Sequence, residues 1–155
     1  MHYENLLKKY EYIPVFEKDL QFGFKGLYRS GKIAIDKKLS TIEKGCILVE
    51  ELGHHFKTVG NIIDQTKISN RKQEKVARLW GYRELLPFKS FIEAYKHGCS
   101  NRFEVADFLN VTEEFLQETL DRYIEIHGDY LIYNETVIQL NPLNIYCKDE
   151  IKSVI

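Results

Sequence analysis

The chain is sparing with the features that usually assign a sequence to a class at a glance. Its 155 residues include only three prolines and nine glycines, and nowhere do these gather into a linker, repeat or low-complexity tract. One domain, or one domain with a small appendage, is the expectation. Three cysteines, Cys46, Cys99 and Cys147, are odd in number and show no C-x-x-C spacing. That excludes a disulfide framework and points to reduced thiols in a cytoplasmic protein. The formal net charge of −1 removes any general pull toward nucleic acid or anionic membrane. No apolar run approaches the roughly 20 residues that span a bilayer. The opening Met1-His2-Tyr3-Glu4 has neither the basic nor the apolar region of a signal peptide.

Apolar residues make up 44% of the chain and aromatic residues 13%, enough for a buried core at this length. Order along the chain predicts the fold class. A short amphipathic helix is expected over about Tyr3–Tyr10, followed by β character from Ile13 to Asp36. There Phe22–Tyr28 and Lys32–Ile35 flank the turn signal Arg29-Ser30-Gly31, as in an antiparallel hairpin. Ser40 with Glu43 forms a capping box, and Gly60 supplies a stop, so Thr41–Val59 reads as a helix. Ile42, Cys46, Val49, Gly53 and Phe56 make one apolar stripe on it, while Ile47 and Leu48 occupy other faces, the pattern of a buried helix. Asn70 with Gln73 looks like the cap of a second helix ending at Pro87. Lys89–His97, Asn101–Leu109 and Thr112–Gly128 read as further helices. Tyr130–Tyr133 and Thr136–Leu140 around Asn134-Glu135 read as a terminal hairpin. Strands, then helices, then a short β tail predict an α+β fold.

Chemistry concentrates in Val49-Glu50-Glu51-Leu52-Gly53-His54-His55. Four ionisable groups within six positions of a mostly apolar helix require partners, because an unpaired buried carboxylate is costly. Glu50 and His54 are four apart and so share a face. That is the spacing by which H-E-x-x-H presents two ligands to zinc, with the intervening Glu set to activate water. Here Glu50 stands in the first ligand position, Glu51 in the general-base position and His54 in the second ligand position. A carboxylate in place of imidazole makes the site harder and admits Mn or Fe beside Zn. The same residues would otherwise form a polar helix edge with a satisfied histidine.

The segment Cys46–His55, with Glu51-Leu52-Gly53-His54 at its centre, resembles the active helix of the ImmA/IrrE family of metallopeptidases, where the motif is H-E-L-G-H. Gly26–Tyr28 and Ile33–Ile35 resemble the strands that precede it. Glu74-x-x-Ala77-x-x-Trp80-Gly81, running on to Leu85-Leu86-Pro87, is similar to the family's second helix. The likeness is good over roughly Leu27–Pro87 and loose elsewhere. It implies a small zincin (gluzincin)-like domain with a short antiparallel sheet packed on the active-site helix. It also implies Glu50, His54 and Glu74 as metal ligands, Glu51 as base, and zinc, manganese or iron as cofactor. Glu50 departs from the family's usual His. Asp64 is the alternative third ligand, and Tyr28, Tyr82 and His97 are candidates to stabilise the oxyanion. An edge strand at Lys32–Ile35 would hold extended substrate by strand addition. His55 lies about 100° around the helix from His54 and is expected to pack rather than ligate. On the small face that carries Ala77 and Gly81, Glu74 is explained by a metal; otherwise it is a first-turn Glu favoured by the helix dipole.

The expected organisation is a metallopeptidase-like core over 1–88 and a helical region over 89–155 with a helix-turn-helix-like unit and the hairpin, packed as one compact unit. The expected activity is metal-dependent endopeptidase action in the cytoplasm, on a phage or mobile-element repressor of helix-turn-helix type, by analogy with the family. Two rivals stand beside it. One is a non-catalytic interaction module, suggested by the missing first His. The other is a DNA-binding regulator, suggested by Asn101–His127. Against the latter, Glu113, Glu114, Glu118, Asp121 and Glu125 face only Arg122 where phosphate binding requires Lys and Arg.

Overall fold

The computed structural model describes residues 1–59 and 68–147, and the chain divides into two compact units, Met1–Leu85 and Leu86–Ile155. The fold is α+β, as expected. Unit one contains α1 (His2–Lys9), β1 (Val15–Lys18), β2 (Gly26–Arg29), β3 (Lys32–Asp36), α2 (Thr41–Lys57) and α3 (Ile68–Leu85). Among the described residues no helix is long and apolar enough to cross a membrane.

The β2–β3 hairpin closes through Ser30 and Gly31, at φ of 50° and 77°. Positive φ at both central residues matches the turn to the twist of its strands. The register sets Tyr28 opposite Ile33 and Gly26 opposite Ile35. Ile33 and Ile35 are fully buried on one face of the sheet, by the alternation of a strand. Two expectations are corrected here. The sheet is mixed rather than antiparallel, since β1 runs parallel to β3. With the order β1-β3-β2, Lys32–Ile35 is the central strand, hydrogen-bonded on both sides, and cannot accept a further strand. The sheet's edges are β1 and β2. Of the apolar run Phe22–Tyr28 only the end is strand: Phe22 is left-handed at φ 61° and 96% exposed.

Helix α2 begins where its capping box places it. The Ser40 backbone N–H donates to Glu43 Oε2 at 2.8 Å, and Ser40 Oγ accepts from the Glu43 N–H at 3.2 Å. Cys46, Leu48, Val49 and Leu52 are buried, so the helix is enclosed on several sides, as its sequence requires. It ends at Lys57 with Thr58 as cap; Gly60, expected as the stop, and Asp64 lie outside the described residues. Helix α3 already includes Ile68, so Asn70 is a buried residue of its first turn rather than a cap. Gln73 instead accepts a hydrogen bond from the Val59 N–H at 2.7 Å, tying the end of α2 to α3.

The second unit contains α4 (Phe88–His97), α5 (Arg102–Phe108), α6 (Glu113–His127), β4 (Tyr130–Tyr133), β5 (Thr136–Leu140) and β6 (Leu143–Cys147). Asn101 and Thr112 cap α5 and α6 through their side chains. The strands form an antiparallel sheet of order β4-β5-β6. Strand β6 extends the expected hairpin to three strands. The buried Phe91, Leu116, Thr119, Tyr123, Ile138 and Leu140 form the centre, and Tyr123 Oη donates to the Leu86 carbonyl at 2.9 Å.

Candidate functional site

The site lies where α2 meets α3, and small residues create it. A Cβ built on Gly53 would collide with the backbone of Ala77, and one on Gly81 would stand 3.2 Å from the Val49 carbonyl oxygen. The two helices therefore touch nearly backbone to backbone, which brings together polar side chains of short reach. Strand β2 approaches α2 by the same device, because a Cβ on Gly26 would lie 2.8 Å from Glu51 Oε1. Glu51 is thus pressed against an edge strand, behind a position that only glycine fills without displacement.

His54 Nε2 and Glu74 Oε2 face each other across the helix pair at 3.3 Å. Glu74 offers its other oxygen, Oε1, to Arg78 Nε at 2.8 Å. Arg78 in turn reaches Glu50 Oε1 through Nη1 at 3.7 Å. Glu50, Glu74 and His54 are largely shielded, with side chains 19%, 24% and 15% exposed. Burial pushes the Glu51 carboxyl up to about 8, helped by the negative charges of Glu50 and Glu74 and opposed by Arg78. Burial also lowers the pKa of His54 against the pull of Glu74, with Arg78 acting in the same direction as burial. Burial thus favours the neutral imidazole, the form that can ligate. For Arg78 burial works against the charged form, but Glu50 and Glu74 more than compensate and hold it above its ordinary value.

Of the residues singled out from sequence, His54 and Glu74 are brought into direct contact, and Glu50 is linked to Glu74 through Arg78. Glu51 stands on the same helix turn against β2. Glu74 lies in the second turn of α3, which removes the helix-dipole explanation for it. His55 points to β2, where its Nδ1 is 3.2 Å from the Tyr28 hydroxyl and its ring packs edge-on against Tyr28 and Phe56. That is the packing role expected of it. Tyr28 is thereby held beside the site, Tyr82 is buried on α3, and His97 belongs to the second unit, stacked on Phe108. Sequence reasoning missed Arg78, read Gly26 only as strand and read Gln73 only as a capping partner. Arg78 left one trace, its i,i+4 spacing from Glu74, which by itself describes an ordinary surface pair.

The donor set suits a divalent metal. Two ligand atoms each about 2.1 Å from a tetrahedral zinc stand about 3.4 Å apart, and His54 Nε2 and Glu74 Oε2 have nearly that separation. Glu50, one turn of α2 before His54, would be the source of a third oxygen. Among the described residues, however, no group of three or more His, Cys, Asp or Glu side chains converges as a metal cage, and Arg78 engages both Glu50 and Glu74.

No curated protein and no solved structure gives a significant match to the chain. Family comparison does: the IrrE N-terminal-like domain matches residues 9–121. That span holds the whole α2–α3 site and stops short of the β4-β5-β6 sheet. The chain belongs to this family of metallopeptidases.

Proposed function

We propose that the protein is a metal-dependent endopeptidase whose reacting centre is the α2–α3 contact. The observation that carries this reading is the 3.3 Å approach of His54 Nε2 to Glu74 Oε2, beside a buried Glu51 held against β2. Glu50, His54 and Glu74 would hold the ion, zinc or else manganese or iron. A divalent cation there supplies Lewis-acid polarisation of the peptide carbonyl and lowers the pKa of water. Glu51 accepts the proton of the attacking water on its carboxylate and delivers it to the leaving amine. Its raised proton affinity suits both steps, since a base near neutrality can also serve as the acid. The open edge of β2 runs beside Glu51 and suits an extended substrate bound by strand addition. A cytoplasmic helix-turn-helix repressor of a phage or mobile element is the proposed substrate, by analogy with the family.

A second reading, that of a binding module without catalysis, draws on one observation: Arg78 engages both Glu50 and Glu74. Elemental mass spectrometry on wild type, His54→Ala and Glu74→Ala, run beside a cleavage assay on candidate repressors, separates the two. About one zinc, manganese or iron per chain, lost in both variants, together with cleavage abolished by Glu51→Gln, supports the peptidase. A wild type that takes up no ion under any loading condition overturns it.

A further inference from the structure

The α2–α3 site contains more negative charge than its ligand set needs. Glu50, Glu51 and Glu74 bring three carboxyls to the α2–α3 contact, of which Glu74 meets the one imidazole, His54, and a Glu stands where H-E-x-x-H has a neutral His. Arg78 answers that excess directly. It contacts Glu74 through Oε1 at 2.8 Å and Glu50 through Oε1 at 3.7 Å, two of the carboxylates that would help hold a metal. Its position on α3 is fixed by the Gly53–Ala77 approach, one helical turn beyond Glu74.

Resting on the metal-site reading above, we infer that Arg78 is a resident counter-cation. It balances Glu50 and Glu74 in the metal-free chain, and an incoming divalent ion must compete with it for their charge. Two effects of Arg78 on metal binding oppose each other. Orienting Glu74, as partners of metal ligands do, would strengthen binding. Repelling a doubly charged ion would weaken it, and with Glu50, Glu74 and His54 largely shielded, although Arg78 itself is 41% exposed, that effect is taken as the larger. The chain would then be stable without metal and load it reluctantly, so that metal availability decides whether the site is armed.

The test is zinc affinity by competition with a chromogenic chelator, with thermal unfolding of the metal-free and zinc-loaded chains. Arg78→Gln removes the charge and Arg78→Lys keeps it. Arg78→Gln should bind zinc at least about tenfold more tightly than wild type, a small part of the repulsion relieved. It should also melt lower than wild type without metal and gain more from zinc. Arg78→Lys should stay within about threefold of wild type on the same grounds. Should metal-free Arg78→Gln fail to fold, rescue by zinc supports the inference and unfolding indifferent to zinc overturns it. Zinc bound by the wild type and bound equally or more weakly by Arg78→Gln overturns this inference alone and leaves the metal site standing. Zinc bound by no variant and not by wild type removes the metal reading and this one with it.

Discussion

Helices α2 and α6 have similar lengths and both carry acids, three on α2 and five on α6, yet they use their carboxylates in opposite ways. On α6, Glu113 meets Arg102 at 3.4 Å, Asp121 meets Gln117 at 2.8 Å and Glu125 meets Arg122 at 2.7 Å. These are partnerships at the solvent surface, and the inward face of α6 is Phe115, Leu116, Thr119, Leu120 and Tyr123. On α2 the acids Glu50 and Glu51 share a buried helix with Leu48, Val49 and Leu52 and answer to one another and to Glu74 and Arg78 of α3. Burial moves the Glu51 carboxyl to about 8. Acidic content therefore says little until the environment is known. A carboxylate on α6 serves solubility and local pairing, whereas one on α2 is kept at an energetic cost that chemistry must justify.

The strongest way to break the comparison is to neutralise one acid on each helix. Glu51→Gln should lower peptide cleavage by about 10²–10⁴-fold, the usual contribution of a positioned base, without lowering the melting temperature, because a neutral amide replaces a carboxyl whose ionisation burial already disfavours. Glu114→Gln, on the exposed first turn of α6, should change cleavage less than about twofold and stability by under about 0.5 kcal/mol. Equal effects of the two substitutions would dissolve the distinction.

Packing offers the next contrast, because α2 should fail by addition and α6 by deletion. Leu116 is fully buried, so Leu116→Ala should cost about 2–5 kcal/mol of unfolding free energy in denaturant titration. At Gly53 there is no room, and Gly53→Ala forces α2 and α3 apart at a cost of about 1–3 kcal/mol. The Gly53 variant should also weaken metal uptake, since the His54–Glu74 distance depends on that approach, whereas Leu116→Ala should leave uptake per folded molecule unchanged. Metal binding that survives Gly53→Ala at full strength would show that the close approach is structural only.

Much of this was legible in the sequence, for identifiable reasons. Ser40 with Glu43, Thr112 and Asn101 are local signals acting within one helical turn, and each caps the helix expected of it. Arg29-Ser30-Gly31 and Asn134-Glu135 are likewise local, since positive φ at Ser30 and Gly31 and at Asn134 and Glu135 is a property of the turn itself. Glu50, Glu51 and His54 stood out because charge inside an apolar helix violates its surroundings. What escaped was set by contacts distant in sequence. Lys32–Ile35 reads the same as an edge or a centre until β1 is known to pair with it. Asn70 has the side chain of a cap, but Ile68 already lies in the helix. Gly26 is part of a strand, and the reason for a glycine there is the approach of Ile47 and Glu51 on α2, more than 20 positions later. Arg78 was hidden most thoroughly, because its pairing with Glu74 is routine and its link to Glu50 exists only once α3 lies on α2.

The smallest expected difference between the two helices lies at their caps. Ser40 and Glu43 bond reciprocally at the start of α2, whereas at α6 Thr112 accepts from the Phe115 N–H and position N3 is a phenylalanine that cannot reply. Ser40→Ala and Thr112→Ala should each cost about 1 kcal/mol at neutral pH. Their pH dependence should differ. The backbone and side chain of Ser40, in that order, hold the Glu43 carboxyl below its usual value. A carboxyl depressed in the folded state stabilises above its unfolded pKa of about 4.3, and that contribution disappears as pH falls through the lower folded value. Between pH 6 and 3, on the order of the acidic titration range, the penalty of Glu43→Gln should therefore shrink toward zero, while that of Thr112→Ala should hold steady. Denaturant midpoints measured across that range decide the matter. A Glu43→Gln penalty independent of pH would mean that the reciprocal bond contributes through its geometry and not through its charge.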